Sequence, residues 1–279
     1  MSSSIKAAVA LLITAVAVIA GARMVCATDG HMAKMYVFAH EDDEMNVAIR
    51  IVTQLRSGNE IYCVWVTDGS KGGAAADVRQ KESQEVMDLL GVPRDHLFFL
   101  GYHDQEAYQH LDEIISDLSG IAQKIRPDEI MSHAYEGGHI DHDVVSFVST
   151  QVAAEIGIVH YEFPDSNMVG GQTRINEFLP DNRSPVQCTP YTDELFSLKM
   201  KLYNMYPSQK KSTSYSMLYL DKRKMRKKGE PFRVAPSYDY SRPAAEELRY
   251  GLTSKGNASY EEWAEAYGKF TEKHTSPTK

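Results

Sequence analysis

The stretch Met35-Tyr36-Val37-Phe38-Ala39-His40-Glu41-Asp42-Asp43-Glu44 changes character abruptly at His40. An apolar run without polar alternation is expected of a strand covered on both faces, and the charged cluster after it falls at that strand's carboxyl end. Beyond the cluster, Met45, Ala48, Ile49, Val52 and Leu55 recur at spacings of three and four, the stripe of a helix that packs one face on a core. Strand, polar turn and helix in that order open a βαβ unit.

The same alternation continues downstream. Strand-like runs recur at Ile61-Tyr62-Cys63-Val64-Trp65-Val66, Leu97-Phe98-Phe99-Leu100, Ile130-Met131 and Ile158-Val159-His160-Tyr161. A second helical stripe runs through Leu111, Ile114, Ile115, Leu118, Ile121, Ala122 and Ile125. Helices between buried strands predict an α/β fold, with a doubly wound, mostly parallel sheet that carries helices on both faces in the Rossmann-like manner. This core is placed at residues 34–163. After Phe163 the pattern breaks into Gly170-Gly171, prolines and scattered aromatics, with one helical stretch from about Thr192 to Tyr206. Residues 164–279 are read as a C-terminal extension of the same domain, packed on the sheet.

Residues 1–27 stand apart. Lys6 precedes an apolar or small-residue run from Ala7 to Ala22, followed by small-residue sites at Ala20-Gly21-Ala22 and Val25-Cys26-Ala27. That is the anatomy of a secretory signal peptide, or of a retained membrane anchor if it is not cleaved. The expected location is therefore outside the cytoplasm. Cleavage after Ala27 would leave Cys63 and Cys188, too few for a disulfide framework, so the fold must rest on its core.

The 279 residues carry a formal charge of −8, which moves to about −10 if Lys6 and Arg23 are removed, and such a balance argues against general nucleic-acid binding. One basic island, from Lys222 to Lys228, reads either as a solvated helix face or as a patch for an anionic polymer or headgroup. Membrane contact is expected only through that run or a retained N-terminal segment.

In open α/β sheets ligands bind beyond the carboxyl ends of the strands, so those ends are where chemistry is sought. The first strand ends in His40-Glu41-Asp42-Asp43-Glu44. The segment around the fourth runs His133-Ala134-Tyr135-Glu136-Gly137-Gly138-His139-Ile140-Asp141-His142-Asp143. A catalytic zinc takes three nitrogen or oxygen ligands and keeps one position open for water, and His40, Asp43 and His142 would supply that set for one ion per chain. Asp42 is then a free carboxylate beside the metal, placed to take a proton from water. On the other loop Asp141 could orient His139, which would polarise a carbonyl or protonate a leaving nitrogen, while Gly137 and Gly138 would let that loop approach closely.

Each residue also has a structural reading. Asp42 or Asp43 could cap the following helix. His133 by itself is expected to be structural, and His160, inside a strand run, a core histidine with its hydrogen bonds satisfied. What favours the site is the convergence of His-x-x-Asp and His-x-Asp-His at strand ends of one sheet.

His40-Glu41-Asp42-Asp43-Glu44 together with Gly138-His139-Ile140-Asp141-His142 resembles the LmbE/PIG-L family of zinc N-deacetylases. Weaker matches follow in family order: Thr67-Asp68-Gly69 with Arg79 and Glu82, Leu100-Gly101 with Asp104, and Lys199 to Tyr206-Pro207-Ser208-Gln209. The resemblance implies His40, Asp43 and His142 as zinc ligands, Asp42 as general base, His139 oriented by Asp141 as transition-state stabiliser, and Arg79 and Asp104 as substrate-binding residues. Arg79 and Glu82 could instead be a helix pair. The resemblance further implies a substrate that is a small molecule or glycan bearing an N-acetylated amino sugar. Glu41 departs from the family's usual proline, and Ile140 stands where proline is common. Two alternatives remain at this level: an amidase or other hydrolase acting on a different conjugate, and a non-catalytic carbohydrate-binding relic of the same fold.

Overall fold

The structure is a computed structural model that describes residues 32–72, 74–180, 184–210, 222–248 and 258–275. The signal-like segment at residues 1–27 lies outside them. Among the described residues no helix is long and apolar enough to cross a membrane.

Five strands and four helices alternate through the first half: β1 (Ala33–Phe38), α1 (Ala48–Arg56), β2 (Glu60–Thr67), α2 (Ala76–Leu90), β3 (Leu97–Tyr102), α3 (Leu111–Ile125), β4 (Glu129–His133), α4 (Ile140–Ile156) and β5 (Val159–Phe163). A hairpin follows, β6 (Ser166–Val169) and β7 (Gln172–Ile175), then β8 (Gln187–Thr189), α5 (Asp193–Tyr203), α6 (Lys222–Lys228), β9 (Glu230–Val234) and α7 (Tyr260–Thr275). The main sheet has the order β3-β2-β1-β4-β5-β9-β8. The strands from β3 to β5 run parallel, and β9 and β8 join antiparallel at one edge.

The unbroken apolar runs are explained by burial on both faces. Tyr36 and Phe38 enter a core shared with Ile49, Ile51, Trp65, Met87 and Leu202, under α1, α2 and α5. Met35, Val37 and Ala39 enter the opposite core with Val64, Ile114, Leu118, Val144 and Trp263, under α3, α4 and α7. Successive side chains on a strand point to opposite faces, so a strand between two helical layers is mostly apolar, and a polar residue in it is paired, as Lys34 is with Glu129 at 2.8 Å.

The C-terminal extension does more than pack on the sheet: it enlarges it with β9 and β8 and adds a helix to each layer. It also finishes α1. Val47 offers no side-chain cap, and the N–H groups of Ile49 and Arg50 donate instead to Glu230 of β9 at 3.0 and 2.8 Å. Lys199 of α5 pairs with Glu230 at 2.5 Å and donates to the carbonyl of Met45. Two of the basic side chains in α6 are likewise used within the fold, Arg226 against Asp193 and Lys228 against Glu177, while Met225 is buried.

The strand order reverses between β1 and β4. The carboxyl ends of two such strands are where this topology places ligands.

Candidate metal centre

The loop after β1 and the start of α4 bring the expected ligands together. His40 Nδ1 lies 3.3 Å from His142 Nε2 and 3.5 Å from Asp43 Oδ2, and His142 Nε2 lies 3.4 Å from Asp43 Oδ1. Tetrahedral coordination with metal–ligand bonds of about 2.0–2.1 Å separates ligand atoms by about 3.3 Å; the donor types suit zinc, and the spacing is approached with Asp43 turning Oδ2 to His40 and Oδ1 to His142. All three residues are buried.

Electrostatics favour a cation at this point. Burial pushes the His40 imidazole down, but Asp104, Asp141 and Asp43 outweigh it and hold the pKa well above the ordinary value. Burial opposes the charge of His142 as well, and Asp43 and Asp165 again prevail. Burial pushes Asp43 up, and the neighbouring imidazoles of His142 and His133 hold it well below the usual carboxylate range. Carboxylates gathered in this way stabilise positive charge, whether as imidazolium protons or as a divalent cation.

Neither acidic residue acts as a helix cap. The Asp43 carboxylate accepts the N–H of His40 at 2.7 Å, closing the loop on itself. Asp42 makes no side-chain cap bond; its Oδ1 accepts from Arg79 Nη2 at 2.8 Å, and its side chain keeps 23% exposure. Burial raises the Asp42 carboxyl to about 7, with Arg79 opposing the rise and Asp43 adding to it. Such a carboxyl is suited to exchange a proton near neutrality.

Two expectations change. Asp141 Oδ2 sits 3.1 Å from His40 Nε2 but 3.9 Å from His139 Nδ1, so Asp141 orients His40. The reason is local: His139 is the N-cap of α4, its backbone is extended, and its Nδ1 accepts the Asp141 N–H at 3.2 Å. The His139 ring instead meets His40 edge-on, with centroids 4.6 Å apart, and burial followed by the charge of His40 lowers its pKa to about 3. The second change concerns Arg79 and Asp104, which are each 3% exposed and face inward. Arg79 donates to the carbonyls of Gly69 and Glu41 as well as to Asp42. Asp104 approaches His40 Nε2 at 3.4 Å and accepts the Lys71 N–H at 3.0 Å. Arg79 does not pair with Glu82, which accepts from Ser208 of the extension.

His133 belongs to the site. Its Nε2 lies 3.1 Å from Asp43 Oδ2, its ring stacks on His142 with centroids 4.0 Å apart, and Asp43, His133 and His142 form a second group able to hold an ion. His40, His139 and His142 form another such group, and His40, Asp104, His139 and Asp141 one more, so the ligand candidates overlap around His40 and His142. Gly138 makes its close approach to the Ser166 carbonyl rather than to the metal ligands; an added Cβ would lie 1.7 Å from that oxygen. Asp165, which reading two strand ends alone does not reveal, comes from the end of β5 and meets the outer nitrogen of His142. The signal for it was its place at a third strand end.

With this geometry in view, residues 35–153 match the family described as PIG-L, GlcNAc-PI de-N-acetylase. No curated protein matches the sequence. Among solved structures, the zinc-inhibited form of teicoplanin deacetylase Orf2 is similar with a TM-score of 0.59 at 16% identity, over 75% of this chain and 100% of that one. The A40926 pseudoaglycone deacetylase Dbv21 gives 0.57 at 17% identity, over 76% and 98%. N,N'-diacetylchitobiose deacetylase from Pyrococcus horikoshii gives 0.55 at 22% identity, over 74% and 84%.

Proposed function

We propose, from the premise that residues 35–153 are a PIG-L family domain of hydrolytic N-deacetylase type, that this chain is an exported, zinc-dependent hydrolase removing an N-acetyl group from an amino sugar or a glycoconjugate containing N-acetylglucosamine. The observation that carries the reading is the triangle of His40, Asp43 and His142, with the Asp42 carboxylate beside it on a loop held by Arg79.

A zinc ion held by those three residues supplies Lewis-acid chemistry and makes water a nucleophile at neutral pH. Asp42 takes the proton from the attacking water on its Oδ2, because Oδ1 is engaged by Arg79. His139, a neutral ring whose Nδ1 accepts the Asp141 N–H, stabilises through its Nε2–H the charge that develops on the amide oxygen. Asp42 passes the proton it took from water to the leaving nitrogen. Asp141 keeps His40 in one tautomer and orientation. The glycan substrate is suggested by the family's description and by the similar deacetylases of glycopeptides and chitobiose.

The test is release of acetate, with a matching free amine, from N-acetylglucosamine, diacetylchitobiose and an N-acetylglucosaminyl-inositol by the zinc-loaded protein. Turnover of one of these that His142→Ala abolishes supports the reading; binding of all without turnover would leave the carbohydrate-binding alternative. Export rests on the apolar run from Ala7 to Ala22. An intact mass that begins near Arg23 or Thr28 in the native host supports it, whereas a full-length chain in the soluble cytoplasmic fraction would refute it.

A further inference from the structure

Asp42 has φ 112° and ψ −17°, a backbone conformation that residues with a Cβ seldom adopt, and it lies beside a metal ligand. Its N–H donates to Glu44 Oε2 at 3.1 Å. The same oxygen accepts Nε1–H of Trp65, on β2, at 3.1 Å. The other carboxylate oxygen accepts the hydroxyl of Tyr206, which also lies 3.0 Å from Ser83 Oγ on α2. Glu44, Trp65, Ser83 and Tyr206 are all fully buried.

A carboxylate placed among an indole, a phenol and an amide costs more to bury than an apolar side chain of the same size would. What Glu44 adds is an acceptor for the Asp42 N–H, fixed from behind by two rigid aromatic donors. Tyr206 follows α5 and lies outside residues 35–153, so the C-terminal extension reaches the catalytic loop through it.

We infer that Tyr206 and Glu44 are positioning residues that hold the Asp42 loop in its left-handed conformation, so that the C-terminal extension acts through Tyr206 on turnover and not on metal binding. The inference rests on the reading of Asp42 as the general base. It gives Tyr206 an effect that passes through Asp42 and through no other group of the site.

A double-mutant cycle on the zinc-loaded full chain tests this, with the acetate-release substrate turned over fastest. Tyr206→Phe should lower kcat by about three- to tenfold, the scale of one lost buried hydrogen bond, with KM and zinc content unchanged. In an Asp42→Asn background, where no base remains to be positioned, the same substitution should change kcat by less than about twofold. Equal losses in both backgrounds would overturn the inference while leaving the base assignment intact. Normal turnover by Asp42→Asn would remove the base assignment, and the inference with it. Should Tyr206→Phe fail to fold, Glu44 provides a second arm. Glu44→Leu should lose turnover with the zinc retained. Glu44→Gln should recover most of that loss, because the amide oxygen can accept from Asp42 and Trp65 while its NH2 donates to Tyr206, whose hydroxyl turns to Ser83. Equal activity of the Leu and Gln variants would also overturn the inference.

Discussion

Asp165 Oδ2 lies 3.5 Å from Nδ1 of His142, the ring nitrogen opposite the one that faces Asp43 and His40. The other oxygen of Asp165 is held by Asn46 Nδ2 at 2.8 Å, so the carboxylate is fixed before it meets the imidazole. At that distance the carboxylate acts on the imidazole through its charge, which favours positive charge on the ring or on a bound ion. Asp165→Asn should therefore weaken zinc binding by about 10- to 100-fold without unfolding the protein. Competition with a chromophoric chelator measures this, and unchanged affinity would reduce Asp165 to a tie between the β6–β7 hairpin and the core.

The pair of Lys199 and Glu230 is buried at 2% and 1% exposure and also caps α1. Glu230→Ala should leave Lys199 as an uncompensated buried charge and cost about 3–5 kcal/mol in urea unfolding of the zinc-loaded protein. Replacing both, as Lys199→Met with Glu230→Leu, should recover part of that loss, since no charge is then left stranded. A double variant as unstable as the single one would show that capping, not the ion pair, dominates.

His160 sits between Ser132 Oγ at 2.8 Å and Thr150 Oγ1 at 3.2 Å, the satisfied core histidine its place in a strand run suggested. Burial lowers its pKa from 6.5 to about 4. Between those values the unfolded chain binds a proton that the folded chain refuses, so the contribution is complete above pH 6.5 and is lost as the pH falls toward 4. The loss is on the order of 3 kcal/mol. His133 and His139 are lowered too and steepen the slope in any variant. His160→Gln should thus flatten, not abolish, the fall in unfolding free energy between pH 7 and pH 4.5 relative to the unaltered chain. Parallel curves would mean that His160 titrates normally.

What the sequence revealed and what it hid have physical reasons. The run from Met35 to Ala39 was readable because both faces of β1 are covered, and the meeting of His40, Asp43 and His142 was readable because their residue types fall at the carboxyl ends of neighbouring strands. The strand β9, Glu230-Pro231-Phe232-Arg233-Val234, which lies between β5 and the edge strand β8, was not. Pro231 and Arg233 argue against a buried strand, and Arg233 is tolerated there only because Glu162 of β5 pairs with it at 2.7 Å. That partner is 71 residues away in sequence, and no local pattern announces it. Asp141 was legible as a site residue but not in its role, since its choice of His40 over His139 depends on how the start of α4 points.

Asp42 and Asp43 are adjacent but should fail differently when each becomes asparagine. Both oxygens of Asp43 face imidazoles, Oδ1 toward His142 at 3.4 Å and Oδ2 toward His133 at 3.1 Å, and Oδ2 also accepts the His40 N–H at 2.7 Å. An amide there is uncharged and sets one NH2 donor against a neighbour that needs an acceptor. Asp43→Asn should therefore lower zinc affinity, and added zinc should restore part of the activity. At position 42 the Arg79 Nη2–H can still donate to an amide oxygen, so the loop should hold its shape. Asp42→Asn should accordingly keep its zinc and its substrate affinity while kcat falls by roughly 10² to 10⁴, the usual contribution of a positioned general base, and excess zinc should not rescue it. Metal content measured beside kcat and KM separates the two roles. Loss of metal from Asp42→Asn with retention in Asp43→Asn would exchange them, and near-normal turnover with zinc retained in both would remove this pair from the mechanism.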